Sequence, residues 1–356
     1  MDCDFLIIGG GIAGVSAAAR LSELGQVILL EAEDHLAHHA SGRSAALYEP
    51  RYGNAAVVAL SLASEEDLRR RDVLSPRGLL MVAGPDDPHF EAEAKAMEMT
   101  PVSAAEACAM VPILRAGAIA RAAHADHAWD IDTDRLVQGF AREARGRGAR
   151  ILTGARVKAL TRGAEGWLAE TGREALTGRI VVNAAGAWVD EVARMAGARP
   201  LGFTPMRRSM ARIPAPAGHA VGGWPMVFGA GETWYMKPDA GALIVSPAEE
   251  HPMEPHDAWA DDMVLAEGLA RYEDFVTEPV TRLLASWAGL RTFAPDRAPV
   301  IGPDPQVPGF FWLAGQGGYG FQSCGAASRL AADLIGGRSG GTDADLVAAL
   351  SPARFG

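Results

Sequence analysis

Phe5-Leu6-Ile7-Ile8 is a short apolar run that ends at a run of glycines, the mark of a strand buried on both faces of a parallel sheet. Residues 13–24 mix Ala, Ser, Arg and Leu without proline and predict a helix, with Gly25 as its stop. Gln26 to Leu30 is again apolar and β-branched and ends at Glu31, so the first 31 residues predict one βαβ unit. Ser103 and Glu106 are spaced as a capping box ahead of Ala107-Cys108-Ala109-Met110, which predicts a short helix ending at Pro112. Asp132 predicts the cap of a helix carrying Leu136, Phe140 and Ala144, terminated by the Gly146 to Gly148 stretch. Short strands are expected near Ile151, Val157 and Trp167, and a second apolar strand at 179–183. Residues 206–213 and 233–246 read as longer strands, the latter turning at Pro238-Asp239-Ala240-Gly241. Residues 257–275 read as an amphipathic helix. A last buried strand at 310–314 runs into Gly315-Gln316-Gly317-Gly318-Tyr319-Gly320 and a helix to about Ile335.

Nucleotide-type βαβ elements thus stand at both ends of the chain. With 356 residues, that arrangement predicts an α/β protein whose first domain is discontinuous, with a second domain inserted between its pieces. The expected division is 1–78, 130–204 and 286–356 for the first domain, and 79–129 and 205–285 for the second. There is no internal repeat and no low-complexity segment.

The formal net charge is −11 and no run of Lys or Arg exceeds three residues, so a nucleic-acid partner or an anionic membrane patch has no electrostatic footing. Hydrophobic residues at 49% and charged residues at 22% describe an ordinary globular chain. Cys3, Cys108 and Cys324 are widely spaced and odd in number. With no CxxC or Cys/His cluster, neither a disulfide framework nor a metal site is expected, and free thiols suit a reducing compartment. No basic leader and no apolar stretch of ~20 residues stands in the chain, so a cytoplasmic protein without a membrane span is expected.

Gly9-Gly10-Gly11-Ile12-Ala13-Gly14 satisfies GxGxxG through Gly9, Gly11 and Gly14. The first glycine makes the turn, the second lets a pyrophosphate approach the backbone, and the third lets helix pack on strand; the helix N-terminus supplies donors. Glu31, at the end of the second strand, is placed to accept hydrogen bonds from ribose hydroxyls, and its charge disfavours a 2′-phosphate. NAD and FAD both satisfy this much. Ser41-Gly42-Arg43-Ser44 would cap a helix start and lay further donors against the pyrophosphate. The Gly315 to Gly320 loop would aim a second helix N-terminus at the site, which suits the negative charge of a reduced flavin.

Six segments together resemble the D-amino-acid oxidase superfamily of flavoenzymes: GGGIAG at the start, HASGRSAALY at 39–48, DIDTDRL at 130–136, NAAGAW at 183–188, SWAGLRTF at 286–293 and GQGGYG at 315–320. Within it the chain is most similar to the D-arginine and D-amino-acid dehydrogenase branch, with glycine oxidase and sarcosine oxidase as wider relatives. The resemblance implies a Rossmann-like FAD domain and an α+β substrate domain whose antiparallel sheet covers the flavin ring. Motif and resemblance together nominate as cofactor-binding Gly9, Gly11, Ile12, Ala13, Gly14, Glu31, Ala32, Ser41, Gly42, Arg43, Ser44 and Ala45. They add Val157, by its backbone, Ala185, Gly186, Gly289, Gly317, Gly318, Tyr319, Gly320, Phe321 and Gln322. Some sarcosine oxidase relatives carry the flavin on a cysteine after the GLR strand; Thr292-Phe293-Ala294 has none, so the FAD is expected to be non-covalent.

The resemblance also implies the reaction, oxidation of a Cα–N bond by hydride transfer to the flavin, the imine then hydrolysing to a 2-oxo acid. A planar guanidinium suits the substrate carboxylate because it offers two parallel hydrogen bonds. Arg208 and Arg291 stand where relatives clamp that carboxylate, and Tyr52, Tyr235 and Tyr319 match positions that face substrate. His124, His127 and His219 read as loop or surface residues. Two departures bear on the substrate: the D-arginine branch has an acid where this chain has Leu79, and a histidine where it has Leu47. Glu49 and Arg51 add charges nearby. A neutral or apolar D-amino acid, or an N-alkyl or cyclic amino acid, is therefore expected over D-arginine. Leu243 stands where sarcosine oxidases carry an oxygen-activating lysine, which favours a dehydrogenase, with the electron acceptor (O2, a quinone or another carrier) left open. The alternatives are an NAD-dependent dehydrogenase using only the N-terminal fingerprint, and a non-catalytic flavin-binding subunit.

Overall fold

In the computed structural model, which describes residues 1–338 and 341–356, the opening βαβ unit forms as Cys3–Ile8, Ile12–Leu21 and Val27–Leu30. The helix is three residues shorter at its C-terminus than the composition predicts, ending at Leu21 before Gly25 is reached. Gly25 instead takes the close approach of Asp4, whose carboxylate lies where a Cβ would stand. Cys3–Ile8 pairs in parallel with Val27–Leu30 on one side and Ala175–Asn183 on the other. Ala175–Asn183 pairs in parallel with Phe310–Ala314, and Val27–Leu30 with Arg150–Leu152. This parallel centre explains why these strands read as unbroken apolar runs.

Ile12–Leu21 lies under two further helices, Thr133–Gly146 and Gly320–Ile335, and nine of its ten residues are buried. One of them is Arg20, whose Nη2 lies 2.7 Å from Asp67 of the helix Ala55–Arg70. That 16-residue helix is missed by the sequence reading. Its buried face includes Ser61, Ser64 and Asp67 beside Val57, Leu60 and Leu68, so the apolar period is broken. The serines are there to mate with the helix Gly320–Ile335: Ser64 Oγ accepts the N–H of Ala326 at 2.9 Å.

The second sheet has nine strands and is mainly antiparallel. Thr204–Pro214 is its longest strand, paired along nearly its whole length with Ala285–Phe293. Ala285–Phe293 follows directly on the inserted segment and belongs by hydrogen bonding to this second sheet, although residues from 286 onward were expected in the first domain. The expected hairpin at 233–246 resolves into Tyr235–Asp239 and Ala242–Ser246, with Ala240 and Gly241 both at positive φ in the turn. The predicted helix at 257–275 starts at Asp262, capped by Asp261. Residues 257–260 stay irregular because Asp257 and the Ala258 carbonyl are bound to Arg43. The capping box of Ser103 and Glu106 and the Asp132 cap form as predicted. No helix among the described residues is long and apolar enough to cross a membrane.

Candidate functional site

Gly9 turns the chain at φ 110°, and a Cβ there would fall on the Ala184 carbonyl oxygen. A Cβ on Gly14 would fall on the Gly9 carbonyl, so the third glycine sets how close helix and strand lie. Glu31, 8% exposed, holds this turn from the side. Its Oε2 accepts the Gly10 N–H at 2.6 Å and its Oε1 accepts the Glu33 N–H at 2.8 Å. Ser41 Oγ accepts the N–H of Ile12 at 3.0 Å. The serine of the 41–44 segment therefore caps the first helix, whereas the segment itself is only a short 3-10 turn, Ala40–Arg43.

Three cavities sharing wall residues run from this turn to the second sheet. The first, about 160 Å³, is walled by Gly9 to Gly11, Glu31, Ala32, Ser41, Arg43, Val157, Ala185, Gly186 and Gly289. The second, about 130 Å³, takes over from Gly11, Ser41 and Gly186 and adds Ile12, Ala13, Ser44, Arg208, Arg291, Gly317, Gly318, Gly320 and Phe321. The third, about 100 Å³, shares Ser44, Arg208, Arg291, Gly318 and Phe321 with it and adds Ala45, Leu47, Glu49, Tyr52, Leu79, Glu232, Tyr235 and Gln322.

Most of the nominated residues thus meet along one path. Four stand differently. Gly14 and Gly42 are packed against backbone carbonyls, of Gly9 and Ala37, and shape the walls without lining them. Arg43 lines the first two cavities, but its guanidinium donates to Asp257 and to the carbonyls of Ala258, Ala288 and His38. It fastens the 38–43 turn to the second sheet, and of its five donors one Nη2 hydrogen is left without a partner among the described residues. Tyr319, expected to face substrate, lies behind the wall, its ring 5.1 Å from Tyr52 and 6.3 Å from Phe293. The turn into the helix at Gly320 directs it inward to that aromatic cluster.

The electrostatics concentrate in the third cavity. Arg208, 2% exposed, has Glu250 at 3.4 Å and Glu232 at 3.8 Å, and its Nε has no partner. Burial, with Arg291 close by, pulls its guanidinium below the ordinary value. Arg291 makes no hydrogen bond or ion pair with the described residues, yet lines the second and third cavities. The hydroxyl of Tyr235 is buried without a partner, and that of Tyr52 donates to Glu232 at 2.8 Å.

Several wall residues were not nominated from sequence. Thr292 Oγ1 and Gln316 Nε2 are buried without a partner in the second cavity; Gln316 stood within the glycine-rich loop, where the glycines and Tyr319 carried the signal. Met226 and Phe228, two residues apart on the strand Met226–Gly229, line the third cavity with Met97 from the end of the helix Phe90–Ala96. His127, expected at the surface, reaches Glu49 at 3.2 Å. Glu33, His38 and His39 gather on the wall of the first cavity, a histidine-bearing cluster the sequence reading did not expect. His39 lies 3.1 Å from Glu33, and its burial pulls the imidazole below the ordinary value.

The family model described as FAD dependent oxidoreductase (DAO) matches residues 4–334. Glycine oxidase from Geobacillus kaustophilus has the same fold, with a TM-score of 0.83 at 23% identity over 98% of both chains. L-Proline dehydrogenase from P. horikoshii superposes with a TM-score of 0.85 at 21% identity, over 99% of this chain and 98% of that one. Among curated proteins, the hydrogen cyanide synthase subunit HcnC of Pseudomonas aeruginosa is 24% identical over 210 residues. That match spans 56% of this chain and about half, 48%, of the relative.

Proposed function

Because the chain belongs to the DAO family of FAD dependent oxidoreductases, we propose that it oxidises the Cα–N bond of a small amino acid. The unpaired guanidinium of Arg291, standing in a cavity wall beside the buried Arg208, carries this reading. Arg291 has no ion pair among the described residues and Arg208 keeps its Nε without a partner, so the two guanidiniums offer free donors to an anion, and a carboxylate fits the planar fork. The unused hydroxyl of Tyr235 adds a third donor.

The residues present fit FAD. Glu31 faces the first cavity, where ribose hydroxyls would be received, and the glycine turn at Gly9 to Gly11 leaves no side chain between it and Ser41. The orphaned Thr292 Oγ1 and Gln316 Nε2 in the second cavity offer polar partners to the ring system. When bound, FAD supplies the two-electron acceptor for the hydride that leaves the substrate Cα. Arg208, Arg291 and Tyr235 would hold the carboxylate so that Cα faces the second cavity, which is the positioning the reaction needs. Thr292-Phe293-Ala294 offers no thiol, which supports a non-covalent cofactor.

Leu47 and Leu79 both line the third cavity, with Met97, Met226 and Phe228, which supports a neutral or apolar D-amino acid, or an N-alkyl or cyclic amino acid, over D-arginine. The leucine at 243, where sarcosine oxidases carry a lysine, supports transfer of electrons to a carrier in place of O2. Anaerobic bleaching of the flavin against D-leucine, D-methionine, D-proline, sarcosine and D-arginine tests both the reaction and the selectivity. No bleaching by any of them overturns the reaction, and fastest bleaching by D-arginine overturns the selectivity. Peroxide release in air at the rate of turnover would overturn the acceptor assignment.

A further inference from the structure

Two carboxylates line the third cavity, Glu49 and Glu232. Glu232 is engaged with Tyr52 and Arg208 through Oε2 alone, and its side chain is 39% exposed, so water reaches its other oxygen. Glu49, 3% exposed, is engaged on one oxygen only. Its Oε1 accepts the Arg51 N–H at 3.0 Å and lies 3.2 Å from His127 Nε2, while its Oε2 is buried with no partner. A buried carboxylate oxygen left unsatisfied is costly, and such an atom in a cavity wall points to a donor brought by a ligand. On the other side of Glu49 the His127 side chain is 30% exposed. An unbroken path therefore leads from the cavity through the carboxyl group and the imidazole to solvent.

An amino acid arrives with an ammonium group, and hydride can leave Cα only when the nitrogen lone pair is free. Little else in the cavity can take that proton. Arg208 and Arg291 are cations, and burial raises the Tyr52 hydroxyl far above its ordinary value. Lys237 is turned to the carbonyls of Ala45 and Ala46 and to Asp130. We propose that Glu49 takes the substrate's ammonium proton on Oε2 and passes it through His127 to solvent; this rests on the amine-oxidation reading above. The N–H bond breaks and its electron pair stays on nitrogen, while an O–H bond forms on Glu49. The resulting carboxylic acid must then rotate its protonated oxygen to the imidazole, which sits at the Oε1 position, and lose the proton to it and to water, which restores the carboxylate. No electrons are exchanged in these steps; two leave afterwards with the hydride.

The surroundings suit this task. Burial raises the Glu49 carboxyl above its ordinary value, against the pull of His127 and Arg51, which brings acceptor and ammonium closer in proton affinity. Arg51 is itself paired with Glu98 at 2.7 Å. From the helix Gly320–Ile335, neutral Gln322 accepts the Glu49 N–H at 3.3 Å. Arg208, Arg291, Glu232, Tyr52 and Tyr235 face the same cavity.

The test is anaerobic stopped-flow reduction of the FAD-loaded wild type and Glu49→Gln, from pH 6 to pH 10. The substrate is whichever of D-leucine, D-methionine, D-proline and sarcosine reduces the wild type fastest. At neutral pH the variant is expected to be about 100-fold slower, with the gap closing as pH rises and the amine arrives already neutral. His127→Gln is expected to be slowed about tenfold and to recover on addition of imidazole. A Glu49→Gln variant that matches the wild type, or that loses the same factor at every pH with its flavin retained, overturns the relay. A wild-type flavin that none of these amines reduces overturns the amine-oxidation reading and the relay with it.

Discussion

The guanidinium of Arg291 lies against the backbone of Gly318, where an added Cβ would stand 3.0 Å from both Cζ and Nη1. The loop that leads into the helix Gly320–Ile335 is thus in direct contact with the candidate carboxylate fork. Gly318→Ala is expected to push the fork aside, lowering kcat/KM per bound FAD about tenfold, mostly through KM. Arg291→Lys, which loses the fork altogether, is expected to cost about 100-fold. Steady-state kinetics with the flavin absorbance as a loading control read both.

Glu31 holds Gly10 at 2.6 Å and Glu33 at 2.8 Å while facing the first cavity. Glu31→Ala removes both bonds and the acceptor for ribose. It is expected to weaken FAD binding by about 10- to 100-fold, since a hydrogen bond to a charged group contributes about 1.5–3 kcal/mol. Titration of the apoprotein with FAD measures the loss, and unchanged affinity would remove Glu31 from the cofactor site.

Asp67 ties Arg20 of the buried first helix to Arg70 and Arg71 of its own. Burial alone would raise its carboxyl, but Arg20 and Arg71 outweigh it and hold it down from 3.8 to about 2. A depressed folded-state value means that the unfolded chain takes up the proton first as pH falls. The stabilisation, about 2 kcal/mol, is therefore complete above the ordinary carboxylate value and is lost as pH drops toward 2. Asp67→Asn leaves Arg20 buried without that charge and is expected to cost about 3 kcal/mol at neutral pH. Urea unfolding of both proteins should show the difference shrinking between pH 5 and pH 2.

Burial pushes the Cys3 thiol up to about 11 and the Cys324 thiol to about 12. Cys108 is only half-buried. A thiol reagent at pH 8 is expected to label Cys108 first in the folded protein, with Cys3 and Cys324 reacting only after denaturation. Rapid native labelling at Cys324, followed by peptide mass spectrometry, would contradict the packing of its helix.

Much of the framework was legible because its signals are local. The strand at Cys3–Ile8, the glycine turn, Glu31, the Ser103 and Asp132 caps and the strand Phe310–Ala314 each follow from a few neighbouring residues. The helix Ala55–Arg70 was not legible, because its buried serines and Asp67 make sense only against Ala326 and Arg20. Tyr319 and Arg43 were placed in the right neighbourhood, but the direction of each side chain depends on packing that no short segment encodes.

By itself the sequence determined a nucleotide fold with its glycines and acid in place, the family, and the two arginines that meet in one cavity. These depend on backbone turns and on alternation along single strands, which neighbouring residues impose. Only the tertiary structure decided that Arg291 stands without a partner among the described residues while Arg43 is bound to Asp257 and three carbonyls, and that Glu49 lines the cavity with one oxygen unused. Whether a charge is satisfied depends on groups hundreds of residues away, as with Arg43 and the carbonyl of Ala288. Such pairings exist only once both sheets have closed on the same space.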